Sequence, residues 1–161
     1  MKKITTLLII GLFTISVFAQ QNEQKTKPTI EFENKIIDEN LKDGELYDEL
    51  SNAIEEWKNV ESPFIATFNG VEFGDYFHIM FTDKNNFFYD FGFGNNDFGK
   101  YELYLENDEE GAATNPKYLN KTFKIWWTWK MSSFYCCSGE YNVVKAHRPS
   151  IIKIELIENN K

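Results

Sequence analysis

The sequence predicts a mainly β domain, either a small antiparallel barrel of five to seven strands or an open sandwich, preceded by one amphipathic α-helix. Three observations carry this. Aromatic residues make up 17% of the chain, with fifteen Phe, eight Tyr and four Trp, and such residues fit the pleated, half-buried surface of a strand. From Phe64 onward the apolar positions recur with period two, whereas before Pro63 they recur at helical spacing. Clusters of Asn, Asp and Gly punctuate the alternating runs where turns belong. At 161 residues the chain is one domain's worth, since single domains hold roughly 100–200 residues.

Residues 1–19 read as a signal peptide. Met1, Lys2 and Lys3 give a basic start, Ile4 to Phe18 an apolar stretch, and Val17-Phe18-Ala19 the small-x-small pattern that precedes cleavage. The apolar run is shorter than the roughly 20 residues of a spanning helix, so the sequence predicts export to the periplasm or beyond and no membrane span after cleavage. Residues 20–29 carry Gln, Lys, Asn and one Pro without apolar periodicity and read as a flexible lead.

Residues 30–62 form the expected helical segment. A shorter piece around Ile30 to Leu41 precedes the clear helix from Glu45 to Asn59, where Leu46, Leu50, Ala53, Ile54 and Trp57 lie on one face. Asp43-Gly44 supplies a capping oxygen or a break. Pro63 ends the helical part, because the residue before proline is forced out of the helical region.

Residues 63–161 form the β domain. Between Val71 and Thr82 the odd positions are apolar except Asp75, which beside Gly74 predicts a bulge or bend in one long strand. Phe87 to Phe93 and Lys100 to Glu106 alternate likewise and complete a meander. Asn107 to Asn120 is a polar separator. Phe123, Ile125, Trp127 and Trp129 then alternate with polar partners and Trp126, a hairpin follows around Ser138-Gly139, and Ile152, Ile154 and Leu156 mark a last strand after Pro149. This order matches a five-stranded barrel of the oligonucleotide/oligosaccharide-binding (OB) type. The stretch Asn115-Pro116-Lys117-Tyr118-Leu119-Asn120-Lys121-Thr122-Phe123-Lys124-Ile125 resembles the entry to the fourth barrel strand in small exported bacterial proteins of uncharacterised function with an OB-fold-like barrel. The resemblance implies a fold and transfers no functional residue.

Charge narrows the partners. Loss of residues 1–19 removes two lysines and no acids, so Lys+Arg falls from 17 to 15 against 25 Asp+Glu and the net charge moves from -8 to -10. Phosphate backbones are bound by clustered Lys and Arg, and here the basic residues stand singly among acids, which argues against nucleic acid.

Cys136-Cys137 are the only cysteines, and they are adjacent. In an exported chain they read as a vicinal disulfide that strains the local backbone, as two thiols on opposite faces of a strand, or as bridging or metal-binding groups. His147 and His78 are the only histidines. His147, between Ala146 and Arg148-Pro149, reads first as a loop residue, because a Cys/His pair needs an oriented base. Asp90, Asn95, Asn96 and Asp97 could gather oxygens for calcium, but the spacing of a calcium-binding helix-loop-helix is absent. Asp75, Asp90 and Asp97 are the acids a hydrolase would draw on. Asn107-Asp108-Glu109-Glu110 reads as a solvated acidic run. No metalloprotease, nucleophile-elbow or phosphate-cradling motif occurs, and no cofactor is implied.

Surplus aromatic residues remain. Tyr76, Phe88, Tyr104 and Trp126 lie opposite the core face of their strands and form either a ligand-binding platform or a surface for the helix to cover. The expectation is a non-enzymatic exported module that recognises a protein or a small uncharged ligand through these rings. Its rival is a thiol-redox or metal-handling protein built on Cys136 and Cys137.

Overall fold

The structure is a computed structural model that describes residues 25–28, 44–74, 76–107, 111–136 and 142–157. The expected signal peptide, the segment around Ile30 to Leu41, Asp75, the acids 108–110, Cys137 and the Ser138-Gly139 turn lie outside the described residues.

The helix forms where its spacing predicts. Helix α1 (Glu45–Trp57) starts at Gly44, whose carbonyl accepts hydrogen bonds from Tyr47 N and Asp48 N at 2.8 and 3.2 Å. Among the described residues no side chain caps it, but Glu45 and Asp48 in the first turn complement the positive end of the helix dipole. Its buried stripe is Leu50, Ala53 and Trp57. Part of the expected flexible lead is tied down beside it: Thr26 and Ser62 exchange backbone hydrogen bonds of 2.9 and 2.7 Å, and Lys25 pairs with Glu61 at 2.8 Å.

The β domain is antiparallel and open. Strands β1 (Phe64–Phe73), β2 (Phe77–Thr82), β3 (Phe88–Asp90), β6 (Thr122–Cys136) and β7 (Asn142–Leu156) form one sheet in the order β3-β2-β1-β6-β7, while β4 (Tyr104–Asn107) and β5 (Gly111–Thr114) form a second. The larger sheet is not closed into a barrel. Instead the turn segment after β3 lies along the outer edge of β7. There Asp97 N donates to Ile151 O, Asn95 N to Ser150 Oγ, and Ile151 N to Asn96 Oδ1, each at 2.9 Å. The edge is thereby covered without a further strand.

Three details differ from the sequence reading. The run Val71 to Thr82 is a hairpin, with Phe73 directly opposite Phe77 and Gly74 N donating to Tyr76 O at 3.0 Å. Because the paired residues are both odd-numbered, alternation continues unbroken through the turn and imitates one strand. The bulge falls earlier, between Phe68 and Gly70, where Gly70 has φ 123°. The run ending at Glu106 does not extend the meander but pairs with part of the supposed separator, Tyr104 with Thr114 and Asn107 with Gly111. Finally, β6 and β7 pair along their length, from Phe123 with Leu156 to Cys136 with Asn142. Pro149 sits inside β7, on an edge strand where its missing N–H removes no second ladder.

The core is built on the inward side chains of the larger sheet, with Trp57 of α1 and Val60, Leu103 and Tyr118 packed against them. Phe68, Phe81, Phe91, Phe123, Ile125, Trp127 and Ile151 are fully buried, and Trp57 packs edge-on against Phe91 and Trp127 with ring centroids 4.9 and 4.7 Å away. Leu50, Phe134 and Ala146 form a smaller cluster that docks the far half of the β6–β7 ribbon on the same helix.

Candidate functional site

A cleft of about 740 Å³ runs between α1 and the outer edge of the sheet. The pleat dictates its wall. Ile79 and Phe81 of β2 and Tyr89 of β3 enter the core, so His78, Met80, Phe88 and Asp90 turn to the other face. The register sets Met80 opposite Asp90, which leaves His78 on the diagonal, within reach of the carboxylate.

Asp90 organises this wall. Its Oδ2 accepts from Tyr76 Oη at 2.9 Å and lies 2.7 Å from His78 Nδ1; its Oδ1 accepts from Ile79 N at 3.0 Å and Gly92 N at 2.8 Å. A carboxylate oxygen only accepts, so His78 Nδ1 carries the hydrogen. Gly92 can approach only because it lacks a Cβ: an added Cβ would stand 1.8 Å from Phe77 O. The Tyr76 ring stacks on Phe93 at a centroid distance of 3.8 Å and lies 3.9 Å from the imidazole of His78. Phe88 is 53% exposed at the mouth.

The opposite wall comes from α1, with Glu49, Asn52 and Glu56, and the floor includes Arg148 of β7. The Arg148 guanidinium lies over Phe93 and Phe134, 4.8 and 5.2 Å from their centroids, and its Nη2 donates to Glu49 Oε1 at 2.8 Å. Its Nε and Nη1 are buried and have no hydrogen-bond partner among the described residues. Among the described residues lining the cleft there is no Ser, Thr, Cys or Lys. The side chains there can orient a ligand and hold a proton at His78, and the groups among them able to form covalent intermediates are the carboxylates, His78 and Tyr76.

The structure divides the four predicted platform rings. Tyr76 and Phe88 line the cleft. Tyr104 stands elsewhere, edge-on to Phe77 at 5.1 Å. Trp126 lies on β6 with the ammonium groups of Lys124 and Lys153 at 4.8 and 4.2 Å from its ring centroid. Helix α1 does not cover Phe88; its apolar stripe goes to the core and to Phe134. Tyr76 and Phe93 also line an apolar trough of about 520 Å³ with Phe73, Phe77, Phe134 and Tyr135. A wider depression of about 1020 Å³ beyond β3 contains none of the four predicted rings.

The other candidates are dispersed. Cys136 ends β6 opposite Asn142, and Cys137 lies outside the described residues. His147 faces Met131 across the ribbon, and burial holds its imidazole below the usual pKa. The oxygens proposed for calcium serve the fold: Asn96 Oδ1 accepts from Ile151 N, and Asp97 Oδ1 from Gly99 N at 2.8 Å. Among the described residues no group of three His, Cys, Asp or Glu could hold a metal ion, and no helix is long and apolar enough to cross a membrane. Sequence reasoning missed Arg148 and Glu49, which meet across 99 positions. Only the alternation in β2 and β3 hinted that His78 and Asp90 share a face.

No protein-family model, curated protein or solved structure matches the chain.

Proposed function

We propose that this protein is an exported, non-enzymatic binding module that holds a small uncharged ligand in the cleft between α1 and the β2–β3 edge. The observation that carries the reading is that Tyr76 and Phe88 line one concave site beside a fixed polar network centred on Asp90. Ligand sites are typically clefts of roughly 300–1,000 Å³ with aromatic walls and a few oriented polar groups, and this cleft falls in that range. The basic, apolar and small-residue order of Met1 to Ala19 supports export.

Native mass spectrometry of the chain recovered from the envelope of the exporting cell tests the proposal. The expected spectrum contains a retained small molecule that Phe88→Ala weakens roughly tenfold, while Trp126→Ala, outside the cleft, leaves it in place. Equal loss in both variants, or retention in both, overturns the cleft as the binding site.

A further inference from the structure

Resting on that reading, we infer that α1 is a hinged wall of the cleft: it pivots on Trp57, is latched at its N-terminal half by the Glu49–Arg148 ion pair, and regulates access to the ligand site by swinging out. The two ends of the helix are held differently. At the C-terminal end Trp57 is buried against three rings, edge-on to Tyr89, Phe91 and Trp127 at 5.6, 4.9 and 4.7 Å. The N-terminal half is held to the β6–β7 ribbon through Leu46 and Leu50, which pack in the small cluster of Phe134, Val144 and Ala146, and through Glu49, whose Oε1 accepts from Arg148 Nη2 at 2.8 Å. A segment resting on a small apolar cluster opens at lower cost than the core it is attached to. Glu49, Asn52 and Glu56 stand along α1 and line the cleft, so a tilt about Trp57 carries this wall away from His78 and Asp90.

Arg148 keeps the latch from being one-sided. The residue is 8% exposed, and its Nε and Nη1 are buried without a hydrogen-bond partner among the described residues. Phe93 and Phe134 lie against the guanidinium at 4.8 and 5.2 Å, but a phenyl ring offers these N–H groups no oxygen. Buried donors without acceptors are rare and unfavourable. The closed helix therefore makes one charged hydrogen bond while keeping two donors of the same group dry. Lifting α1 takes Leu50 off the cluster that contains Phe134 and admits water to all three nitrogens, which offsets the loss of Glu49. The two positions of the helix are thus closer in free energy than an ordinary buried ion pair would leave them, because removing the partner of a fully satisfied pair strands a charge, whereas here the charge regains water.

Native-state thiol labelling tests this on the chain carrying Cys136→Ser and Cys137→Ser. Ala146→Cys sets a thiol in the cluster under α1, and Ala66→Cys sets one in the main core; both alanines are 2% exposed. The Ala146→Cys thiol is expected to react at least about a hundredfold faster than the Ala66→Cys thiol. Glu49→Ala should speed it by about tenfold and leave the Ala66→Cys rate alone, while Arg148→Met, which removes the dry donors and keeps the stem, should slow it. Opposite signs from the two partners of one ion pair separate a latch from a simple structural bridge, which loosens whichever partner is removed. Equal rates at the two thiols, acceleration by Arg148→Met, or equal acceleration of both thiols by Glu49→Ala overturns the inference. Glu49 is a partly exposed helix position, so its variant keeps the test decisive should Arg148→Met unfold. These readouts need no ligand: their failure removes the hinge and leaves the binding cleft standing, whereas a chain that retains no small molecule removes the binding reading and leaves the labelling contrast intact.

Discussion

Replacing Asp90 by alanine should be among the most damaging single changes at the surface of this domain. The carboxylate satisfies four donors, and its side chain is 18% exposed. Two of these donors, Ile79 N and Gly92 N, belong to the backbone and lose this acceptor once the side chain is cut back. Leaving a buried donor unpaired costs about 1–3 kcal/mol. Water reaching the partly exposed Tyr76 and His78 spares most of their share. The sum for Asp90→Ala is about 3–5 kcal/mol, a large part of a typical domain's stability of about 5–15 kcal/mol. Asp90→Asn supplies a control, because an amide oxygen still accepts from Ile79 N and Gly92 N, while the Tyr76 hydroxyl can rotate and His78 can change tautomer to face an N–H. It should cost about 1 kcal/mol. Urea denaturation followed by tryptophan fluorescence gives both values. A loss below about 1 kcal/mol for the alanine variant, or equal losses for the two, would refute the view that this carboxylate organises the cleft wall.

Gly92→Ala should destabilise by about 2 kcal/mol or more, since its Cβ would stand 1.8 Å from Phe77 O; thermal unfolding within a degree of the parent would show that no close approach exists. Tyr89 gives a pH signature. Burial first, then the charge of Asp83 and its hydrogen bond at 3.3 Å, push the Tyr89 phenol from 10.0 up to about 12. A pKa raised by folding contributes stability that is complete below the unfolded value and is lost as pH climbs through the folded one. The window is therefore pH 10 to 12, and after allowance for screening at the wet edge of the ring the loss is about 1–2 kcal/mol. Tyr89→Phe should flatten stability over that window, and an unchanged slope would contradict the assignment. Replacing Cys136 and Cys137 together by serine should leave ligand retention by native mass spectrometry unaltered, whereas its abolition would move the function to the thiols.

Sequence legibility followed locality. Helix α1 declared itself through Leu50, Ala53 and Trp57 because helical spacing is a property of neighbours along the chain, and the inward faces of β1, β2 and β6 declared themselves through alternation. Turns that preserve parity did not. The Phe73–Phe77 hairpin keeps odd residues on one face and so imitates a single strand. The β4–β5 pairing was hidden because Gly111 to Thr114 carries no bulky apolar residue to mark it as a strand. At the site, Tyr76 and Phe88 were legible as outward rings, but the cleft that gathers them was not. Its second wall depends on Glu49 meeting Arg148 across 99 positions, and Arg148 beside Pro149 reads locally as a loop. Tyr104 and Trp126 satisfied the same outward-ring rule as the other two, since alternation fixes a face of one strand and carries no information about which strands end beside each other.

The central claim is that the cleft is the place where this protein meets its ligand. An amide NMR titration of the chain with the small-molecule fraction of the cells that produce it tests it most directly. The account predicts saturable shifts at Asn52, His78, Asp90 and Gly94, on both sides of the cleft, with Trp126 and Tyr104 silent. Shifts confined to Trp126, Tyr104 or the far end of the β6–β7 ribbon would contradict it.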